Sequence, residues 1–306
     1  MFGVNQSLDS YNDQFGVDGV AQVVAGNGDL PAVVVRSPVA QGTIYLHGGQ
    51  VSSWIPASAG TDVLFVSRQA IWRPDRAIRG GIPVCFPWFG AHPANPKAPS
   101  HGFARLREWR LDSIAQRGDA VAVTVDHSSD ATSRELWPHD FHLRLCVAFG
   151  ASLQVDLTVT NRGRETFSFE EALHSYFAVD DIHFTSLSGL DGARYLDTVG
   201  GIREMQQQGE IRFETETDRI YLATGGATIT DSSRPRRIAV NKKNSGNTVV
   251  WNPWIAKATT FADLGDDEWT QMLCVETCNV RDGAIVLDAG ESHTMTVSVA
   301  VSDQVA

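Results

Sequence analysis

HLRLCVAF (142–149) and LQVDLTVTN (153–161) alternate polar and apolar residues along their length. A period of two places the apolar side chains of a segment on one face, which predicts β-strands buried on one side. The same alternation recurs in AVAVTVDH (120–127) and HTMTVSVAV (293–301), and clusters of Gly, Asn, Asp and Ser separate such segments. Strands spaced by turn signals are typical of an antiparallel β-sandwich, so the predicted fold class is all-β.

Helical signals are few. Residues 131–137 (ATSRELW) predict about two turns of helix, with Thr132 or Ser133 as the N-cap and Pro138 as the stop. Strands and helices do not alternate regularly, and neither GxGxxG nor GxxxxGK[ST] occurs, which argues against a Rossmann or TIM-barrel enzyme. Because the sequence has no internal repeat and no linker-like stretch, residues 1–306 are expected to form a single β-sandwich domain with very little helix.

The composition limits the classes of partner. The 306 residues include 25 Lys and Arg against 36 Asp and Glu, a formal net charge of −11. A field of this sign repels phosphate polymers, so neither a nucleic acid nor an anionic membrane is an expected partner, although it allows a local basic pocket. The N-terminal residues do not resemble a secretory signal, and no stretch approaches the roughly 18 apolar residues of a membrane span, which indicates a soluble, cytoplasmic protein.

The cysteines are sparse. Cys85, Cys146, Cys274 and Cys278 form no CxxC pair, so neither a disulfide framework nor a zinc site is expected. Reduced, buried thiols are the simplest interpretation.

Residues 67–110 are the most irregular part of the chain, dense in Pro, Gly, aromatic residues and Arg. Because proline has no N–H to donate, Pro83, Pro87, Pro93, Pro96 and Pro99 make a paired central strand improbable and predict a long, ordered loop system. Ordered loops of that length in a compact domain usually carry function. Aromatic side chains in this region offer faces on which a sugar ring stacks, although core packing is the favoured role for any single one of them.

Two arginines of this loop system are candidate ligand-binding residues. Arg79 precedes Gly80-Gly81, and Arg105 follows SHGFA (100–104). A guanidinium offers a fixed fork of donors, so two of them brought together by glycine-rich loops can clamp a phosphate or the hydroxyls of a polar ligand. The spacing alone is equally compatible with a pair of surface salt bridges.

Candidate proton-transfer residues lie farther along the chain. His174, in FEEALHSYFAVDDI, titrates near neutrality and suits acid or base chemistry, but a structural histidine fits the pattern as well. Glu276 lies in the apolar segment WTQMLCVETCNV, where burying a carboxylate is costly unless it is paired or used. Asp218 in ETETDRIYL and the aromatic segment VVWNPWI (249–255) are weaker candidates, for a hydroxyl contact and a pocket wall.

Taken in order along the chain, these segments resemble the aldose-1-epimerase superfamily, and within it the hexose-6-phosphate mutarotase branch. The resemblance covers nearly the whole chain, and the two segments most specific to the branch are RGGIPVCFPWFG (79–90) and HGFAR (101–105). The other matching segments are HGGQVSSW (47–54), ALHSYF (172–177), TDRIYL (217–222), VWNPW (250–254) and QMLCVE (271–276).

The resemblance implies both a fold and a set of roles. The fold is a large antiparallel β-sandwich of the galactose-mutarotase type, and the activity is interconversion of the α and β anomers of a hexose 6-phosphate, with glucose 6-phosphate the expected substrate. His174 matches the catalytic acid and Glu276 the catalytic base. The matching substrate-binding residues are Arg79 and Arg105, expected on the phosphate, together with Asp218 and His101. Neither a metal nor an organic cofactor is implied, and the chain is expected to act as a monomer.

Two segments depart from the branch pattern. Ser100 stands where some members carry Gln before the HG motif, which affects one expected substrate hydrogen bond, and Thr277-Cys278-Asn279 follows the glutamate where Pro-Gly or Pro-Ala is usual. A nearby carboxylate would help keep His174 protonated, and Glu170 and Glu171 are close to it in sequence, although strand alternation can turn either side chain away. Two other functions remain open: a mutarotase of unphosphorylated aldoses, and a non-catalytic protein that binds a sugar phosphate.

Overall fold

The computed structural model describes residues 7–234 and 236–303. It is 48% strand and 12% helix, arranged in several antiparallel sheets, which confirms the all-β fold class. The ends of the expected domain, residues 1–6 and 304–306, lie outside the described residues, as does Pro235. None of the helices in the described part of the chain has the length and apolar character needed to cross a membrane.

Strands are numbered in chain order. They are β1 (Ala21–Ala25), β2 (Pro31–Arg36), β3 (Ala40–Tyr45), β4 (Gln50–Pro56), β5 (Val84–Cys85), β6 (Arg110–Arg117), β7 (Ala120–Ser128), β8 (Phe141–Phe149), β9 (Ser152–Asn161), β10 (Phe167–Phe169), β11 (Glu171–Leu173), β12 (Tyr176–Ala178), β13 (Thr185–Ser188), β14 (Arg194–Asp197), β15 (Arg203–Gln206), β16 (Ile211–Arg212), β17 (Thr217–Leu222), β18 (Ala227–Asp231), β19 (Arg236–Lys243), β20 (Asn247–Asn252), β21 (Met272–Asn279), β22 (Ile285–Leu287) and β23 (Ser292–Asp303).

The larger of the two main sheets contains the segments whose alternation is clearest. Its strand order is β16-β13-β18-β19-β23-β9-β8-β7-β6. In β9 every second side chain is buried, and Leu157 lies opposite Leu145 of β8 and Met295 of β23. The apolar face of this sheet therefore forms a continuous row across neighbouring strands, as the period of two requires.

The second main sheet runs β15-β14-β17-β20-β21-β11-β5, with β12 also paired to β21. Strand β21 is buried along its whole length, so its side chains contact protein on both faces. Two smaller sheets complete the fold, β1-β2-β3-β4 and β10-β22. Buried apolar side chains from all parts of the fold form one main cluster, which is consistent with the single domain that the sequence predicts.

The α-helices are short: α1 (Leu8–Phe15), α2 (Ala131–Leu136) and α3 (Trp254–Ala258). Helix α2 is present and ends before Pro138 as predicted, but the predicted cap is wrong. The N-cap is Asp130, whose carboxylate accepts the N–H of Ser133, while the Ser133 hydroxyl accepts the N–H of Asp130. Ser133 therefore lies inside the first turn as the partner in a capping box. Single turns of 3-10 helix cover Asn27–Asp29, Ala104–Leu106, Ile182–Phe184, Glu268–Gln271 and Arg281–Gly283.

The irregular region 67–110 is ordered as predicted, and its last residue, Arg110, begins β6. It contains the two-residue strand β5, which lies at the end of its sheet, and the turn Ala104–Leu106. Its two specific motifs lie side by side, because Phe86 and Gly102 form a parallel bridge and the N–H of His101 donates to the carbonyl of Gly90. The loop is thereby folded over the end of the sheet that carries β11 and β21.

Candidate active site

A cleft of about 620 Å³ opens over the sheet that contains β17, β20 and β21. It brings together all six of the candidate site residues from the sequence, namely Arg79, His101, Arg105, His174, Asp218 and Glu276. These residues come from four separate segments of the chain, and the strand register explains how they meet.

The register sets out the cleft floor in two adjacent rows. Ile220, Val249 and Glu276 lie opposite one another on β17, β20 and β21. The neighbouring row contains Asp218, Trp251, Cys274 and Tyr176, again from successive strands. The VVWNPWI segment therefore does contribute a pocket wall, through Trp251.

His174 lies in the break between β11 and β12. The pairs Leu173–Thr277 and Tyr176–Cys274 flank it, and their common register places His174 opposite Glu276. Its Nε2 atom is 3.4 Å from Oε1 of Glu276. The imidazole stacks on the Tyr176 ring, with 4.8 Å between centroids and 10° between planes, which fixes the ring orientation.

Burial moves the two pKa values of this pair in opposite directions. It raises the pKa of Glu276 well above its ordinary value, with the charge of Asp218 acting in the same sense. It lowers the pKa of His174 well below 6.5, and the neighbouring His101, Arg105 and Arg79 add to this. Both shifts favour the uncharged forms of the two side chains.

The expected support of His174 by Glu170 or Glu171 is wrong. The Glu170 carboxylate accepts the backbone N–H groups of Phe89 and Arg281. Glu171 lies opposite Asn279 and accepts its side-chain amide. Both side chains are held by partners other than His174, so the ionisable partner of His174 is Glu276.

Arg79 enters the cleft from a tightly constrained turn. Gly81 has φ = 63°, and a Cβ atom at that residue would lie 2.1 Å from the carbonyl oxygen of Val51, so only glycine fits. The Arg79 guanidinium donates from Nε and Nη2 to Oδ1 of Asp263 and from Nη1 to the Tyr176 hydroxyl. It also lies over the Phe261 ring, 4.6 Å from the centroid.

Arg105 makes fewer hydrogen bonds than Arg79 within the described structure. Its Nη2 donates to the backbone carbonyl of Ser100 over 2.8 Å. Its Nε is buried without a hydrogen-bond partner among the described residues. The contact with Ser100 uses its main chain, so it does not depend on the side chain that departs from the branch pattern. In the second departure, β21 simply continues through Thr277, Cys278 and Asn279.

His101 and Asp218 line the cleft together with the acid–base pair. His101 has φ = 60°, its Nδ1 accepts the N–H of Gly90, and its ring is 5.5 Å from that of His174. Burial lowers the pKa of His101 to about 3, with help from Arg105, so this imidazole is neutral at pH 7 and suits a hydroxyl contact. Burial raises the pKa of Asp218, and Lys257 Nζ, 3.8 Å away, opposes the rise.

Two further residues that line this cleft, Tyr176 and Asp263, are not among the six candidates from the sequence. Asp263 lies in FADLGDDEW (261–269), where four acids fall within six positions, and nothing in the spacing distinguishes the one that turns inward.

One set of side chains in the cleft has the composition of a metal site. Single donor atoms of His174, Cys274 and Glu276 lie within 4.8 Å of one another, and no other group of three or more was found among the described residues. Burial raises the pKa of the Cys274 thiol well above 9.0, which disfavours the thiolate that a metal would need. The four cysteines are free.

Comparison with known proteins agrees with this geometry. The family profile described as aldose 1-epimerase matches residues 32–300. The chain belongs to the aldose 1-epimerase family. It is therefore an isomerase with the mutarotase fold, and the resemblance found in the sequence is confirmed.

Individual relatives of this aldose 1-epimerase family member cover most of the chain. A Cenchrus ciliaris protein named "Putative glucose-6-phosphate 1-epimerase" is 41% identical over 261 residues, 81% of this chain and 77% of that protein. An Escherichia coli K12 protein of the same name is 37% identical over 267 residues, 87% and 88% of the two chains. The crystal structure of "a putative mutarotase (YeaD) from Salmonella typhimurium" superimposes with a TM-score of 0.88 at 31% identity, covering 94% of this chain and 96% of that one.

Proposed function

We propose that this protein interconverts the α and β anomers of a hexose 6-phosphate, with glucose 6-phosphate as the substrate. The observation that carries the proposal is the His174–Glu276 contact at the floor of a cleft that also contains Arg79 and Arg105. The relatives named for glucose-6-phosphate 1-epimerase, at 37% and 41% identity, support the choice of substrate.

The chemistry needs one base and one acid near a single C1–O5 bond. Glu276 removes the proton of the anomeric hydroxyl while His174 gives a proton to the ring oxygen, which opens the hemiacetal to an aldehyde. Rotation about the C1–C2 bond then presents the other carbonyl face. Reversal of the two transfers closes the ring as the opposite anomer, and each assisted transfer contributes about 10² to 10⁴-fold to the rate.

The mechanism requires Glu276 as the carboxylate and His174 as the imidazolium, which are the opposite of the forms that burial favours. The anomeric hydroxyl donates a hydrogen bond to the Glu276 carboxylate, and a hydrogen bond to the charged form lowers the pKa of an acid. A phosphate dianion in the same cleft favours the imidazolium form of His174 by its charge.

Recognition of the phosphate is assigned to Arg105 and Arg79. Arg105 has its Nε unpartnered in the described structure, and Arg79 keeps an N–H on Nη1 and another on Nη2 beyond the contacts that it makes. His101 and Asp218 are assigned to the sugar hydroxyls. All six residues belong to one chain, which supports the proposal that the protein acts as a monomer. The cytoplasm is its proposed location.

The second candidate is a mutarotase of unphosphorylated aldoses. The observation that favours it is the Asp263 carboxylate on Arg79, which already satisfies part of the guanidinium. A non-catalytic sugar-binding protein is the third reading, and the His174–Glu276 pair argues against it because binding alone does not require such a pair.

Exchange NMR separates the three functions. The approach to anomeric equilibrium is measured for glucose 6-phosphate and free glucose side by side with catalytic amounts of protein. Acceleration confined to the phosphorylated sugar supports the proposal. Acceleration of free glucose alone favours the second candidate, and no acceleration of either sugar favours the binding protein.

A further inference from the structure

Arg79 and Asp263 form an ion pair within the cleft itself. Both Nε and Nη2 of Arg79 donate to the same carboxylate oxygen, Oδ1, at 3.1 and 3.0 Å. The two side chains are only 19% and 21% exposed, so water screens this pair less than it would a surface pair. The carboxylate therefore lies where an anionic ligand of Arg79 would also be drawn.

Hydrogen bonds from neighbouring segments hold the Asp263 loop beside Arg79. Its loop is tied to the segment that leads to Arg79 through Glu268, which accepts the Ser67 hydroxyl and the N–H of Gly265. The N–H of Ser67 in turn donates to the carbonyl of Arg79. Phe261, on the same loop, contacts the guanidinium face. The loop thus holds both an anion and an aromatic ring against Arg79.

We propose that Asp263 is a specificity-determining residue that acts as a fixed counter-anion to Arg79. A ligand phosphate must share the Arg79 guanidinium with this carboxylate. A free phosphate therefore binds weakly, and only a phosphate attached to a sugar binds well. The proposal rests on the phosphate role of Arg79 in the proposed function. A buried guanidinium without a partner is costly, and the Asp263 carboxylate removes that cost. The same carboxylate then repels an incoming dianion, and the sugar contacts must offset this repulsion.

The geometry offers a clean variant. Because both Arg79 donors reach the single oxygen Oδ1, Asp263→Asn can keep that acceptor and remove only the charge. Asp263→Ser is a second neutral variant, in case the amide turns the wrong way. Asp266→Asn is the matched control. Asp266 is an exposed acid on the same loop, and its substitution removes the same net charge as Asp263→Asn.

Isothermal titration with inorganic phosphate at pH 8, where phosphate is a dianion, measures the effect directly. We expect the dissociation constant to fall tenfold or more in Asp263→Asn and to change less than twofold in Asp266→Asn. Thermal unfolding of each variant checks that the fold is intact. An Asp263→Asn protein that is folded and binds phosphate no more tightly than the wild type overturns the inference, and Asp263→Ser must agree.

The result also separates this inference from the proposed activity. Tighter phosphate binding by Asp263→Asn in a protein that equilibrates no sugar phosphate supports the counter-anion and contradicts the activity. If the wild type interconverts the anomers of glucose 6-phosphate but Asp263→Asn binds phosphate no more tightly, the activity is supported and the counter-anion is contradicted. No phosphate binding by any of the folded variants contradicts both the counter-anion and the phosphate role of Arg79.

Discussion

His174 and Glu276 are buried side chains whose ionisation burial disfavours, and each is the ionisable partner of the other. His174→Ala and Glu276→Gln should each reduce anomerisation of glucose 6-phosphate at least 100-fold, because each removes one of the two proton transfers. Exchange NMR measures the rate. Thermal unfolding of the same samples serves as the control, since lost activity is informative only in a folded protein. Activity near the wild-type level in either variant would contradict the assignment.

Substitution of Arg79 tests its proposed role in binding the phosphate. Its loss should raise the KM for glucose 6-phosphate tenfold or more and should affect free glucose much less, because charge-assisted contacts to a phosphate are lost only for the phosphorylated sugar. Arg79→Ala also releases the Tyr176 hydroxyl beside His174, so kcat should fall for both sugars. The ratio of the two KM values is the relevant measurement, and equal losses on both sugars would argue against a phosphate contact.

The sequence identifies some of the important side chains of the cleft but not the partners that they contact. Glu276 is recognisable in the sequence because burying a carboxylate in an apolar strand is costly unless the carboxylate is paired or used. The structure places His174 beside it as that partner. Glu171 was linked to His174 by proximity along the chain, but its true partners come from β21 and β23. Asp263 lies 184 positions from Arg79, and such a contact is set by tertiary structure alone.

At the scale of elements, the glycines of the loop system determine whether the cleft forms. Gly102 has φ = 74°, and a Cβ atom there would lie 1.9 Å from the carbonyl oxygen of Phe86. Gly118, in the β6–β7 hairpin, has φ = 63° but nothing within 4 Å of such a Cβ. Gly102→Ala should therefore destabilise the protein by more than the roughly 1 to 2 kcal/mol expected of Gly118→Ala from left-handed backbone strain alone.

Chemical denaturation measures both glycine variants, and exchange NMR reports on the cleft. Gly102→Ala should also lose activity, because the collision moves the segment that carries His101 and Arg105 away from His174. Gly118→Ala should retain activity, since its hairpin does not line the cleft. Equal destabilisation by the two substitutions would show that the loop relaxes freely around Gly102.

Strand identity was readable from the sequence, whereas strand pairing was not. Alternation locates β7, β8, β9 and β23 within one or two residues. Two-residue strands such as β5, and the interruption between β11 and β12, have no periodic signal. The cleft nevertheless depends on that interruption, because it leaves His174 opposite Glu276 without placing it in a regular strand. The α2 cap was misplaced because Asp130, Thr132 and Ser133 are all good capping residues.

On the scale of the whole molecule, a polar cluster connects the two main sheets. Glu171 of β11 is fully buried, and its Oε1 accepts the Asn279 amide and lies 3.2 Å from Nε2 of His293 on β23. Glu171 and Asn279 belong to the sheet under the cleft, and His293 belongs to the other. Alternation places His293 on a strand but says nothing about this cross-sheet partner, which only the packing of the two sheets creates.

This cluster should make stability depend on pH. The hydrogen bond to Glu171 raises the pKa of His293 above 6.5, and burial raises the pKa of Glu171 above 4.5. In both cases the folded protein binds protons more tightly than the unfolded chain, so unfolding releases protons and the free energy of unfolding decreases as pH rises. The His293 contribution is complete below pH 6.5 and is lost as pH increases through the raised pKa.

Glu171→Gln should flatten this pH dependence, because it removes one titrating group and the charge that raises the pKa of the other, while its amide oxygen still accepts from Asn279. His293→Ala should instead destabilise the protein by about 3–5 kcal/mol near pH 6, since it leaves a buried carboxylate without its cationic partner. Urea unfolding at pH 6, 7 and 8 measures both effects. His183→Gln, which breaks the exposed pair with Asp181, is the control and should change little. A wild-type free energy of unfolding that stays constant or increases from pH 6 to 8, or a Glu171→Gln slope equal to that of the wild type, would show that the two sheets are not coupled through this ion pair.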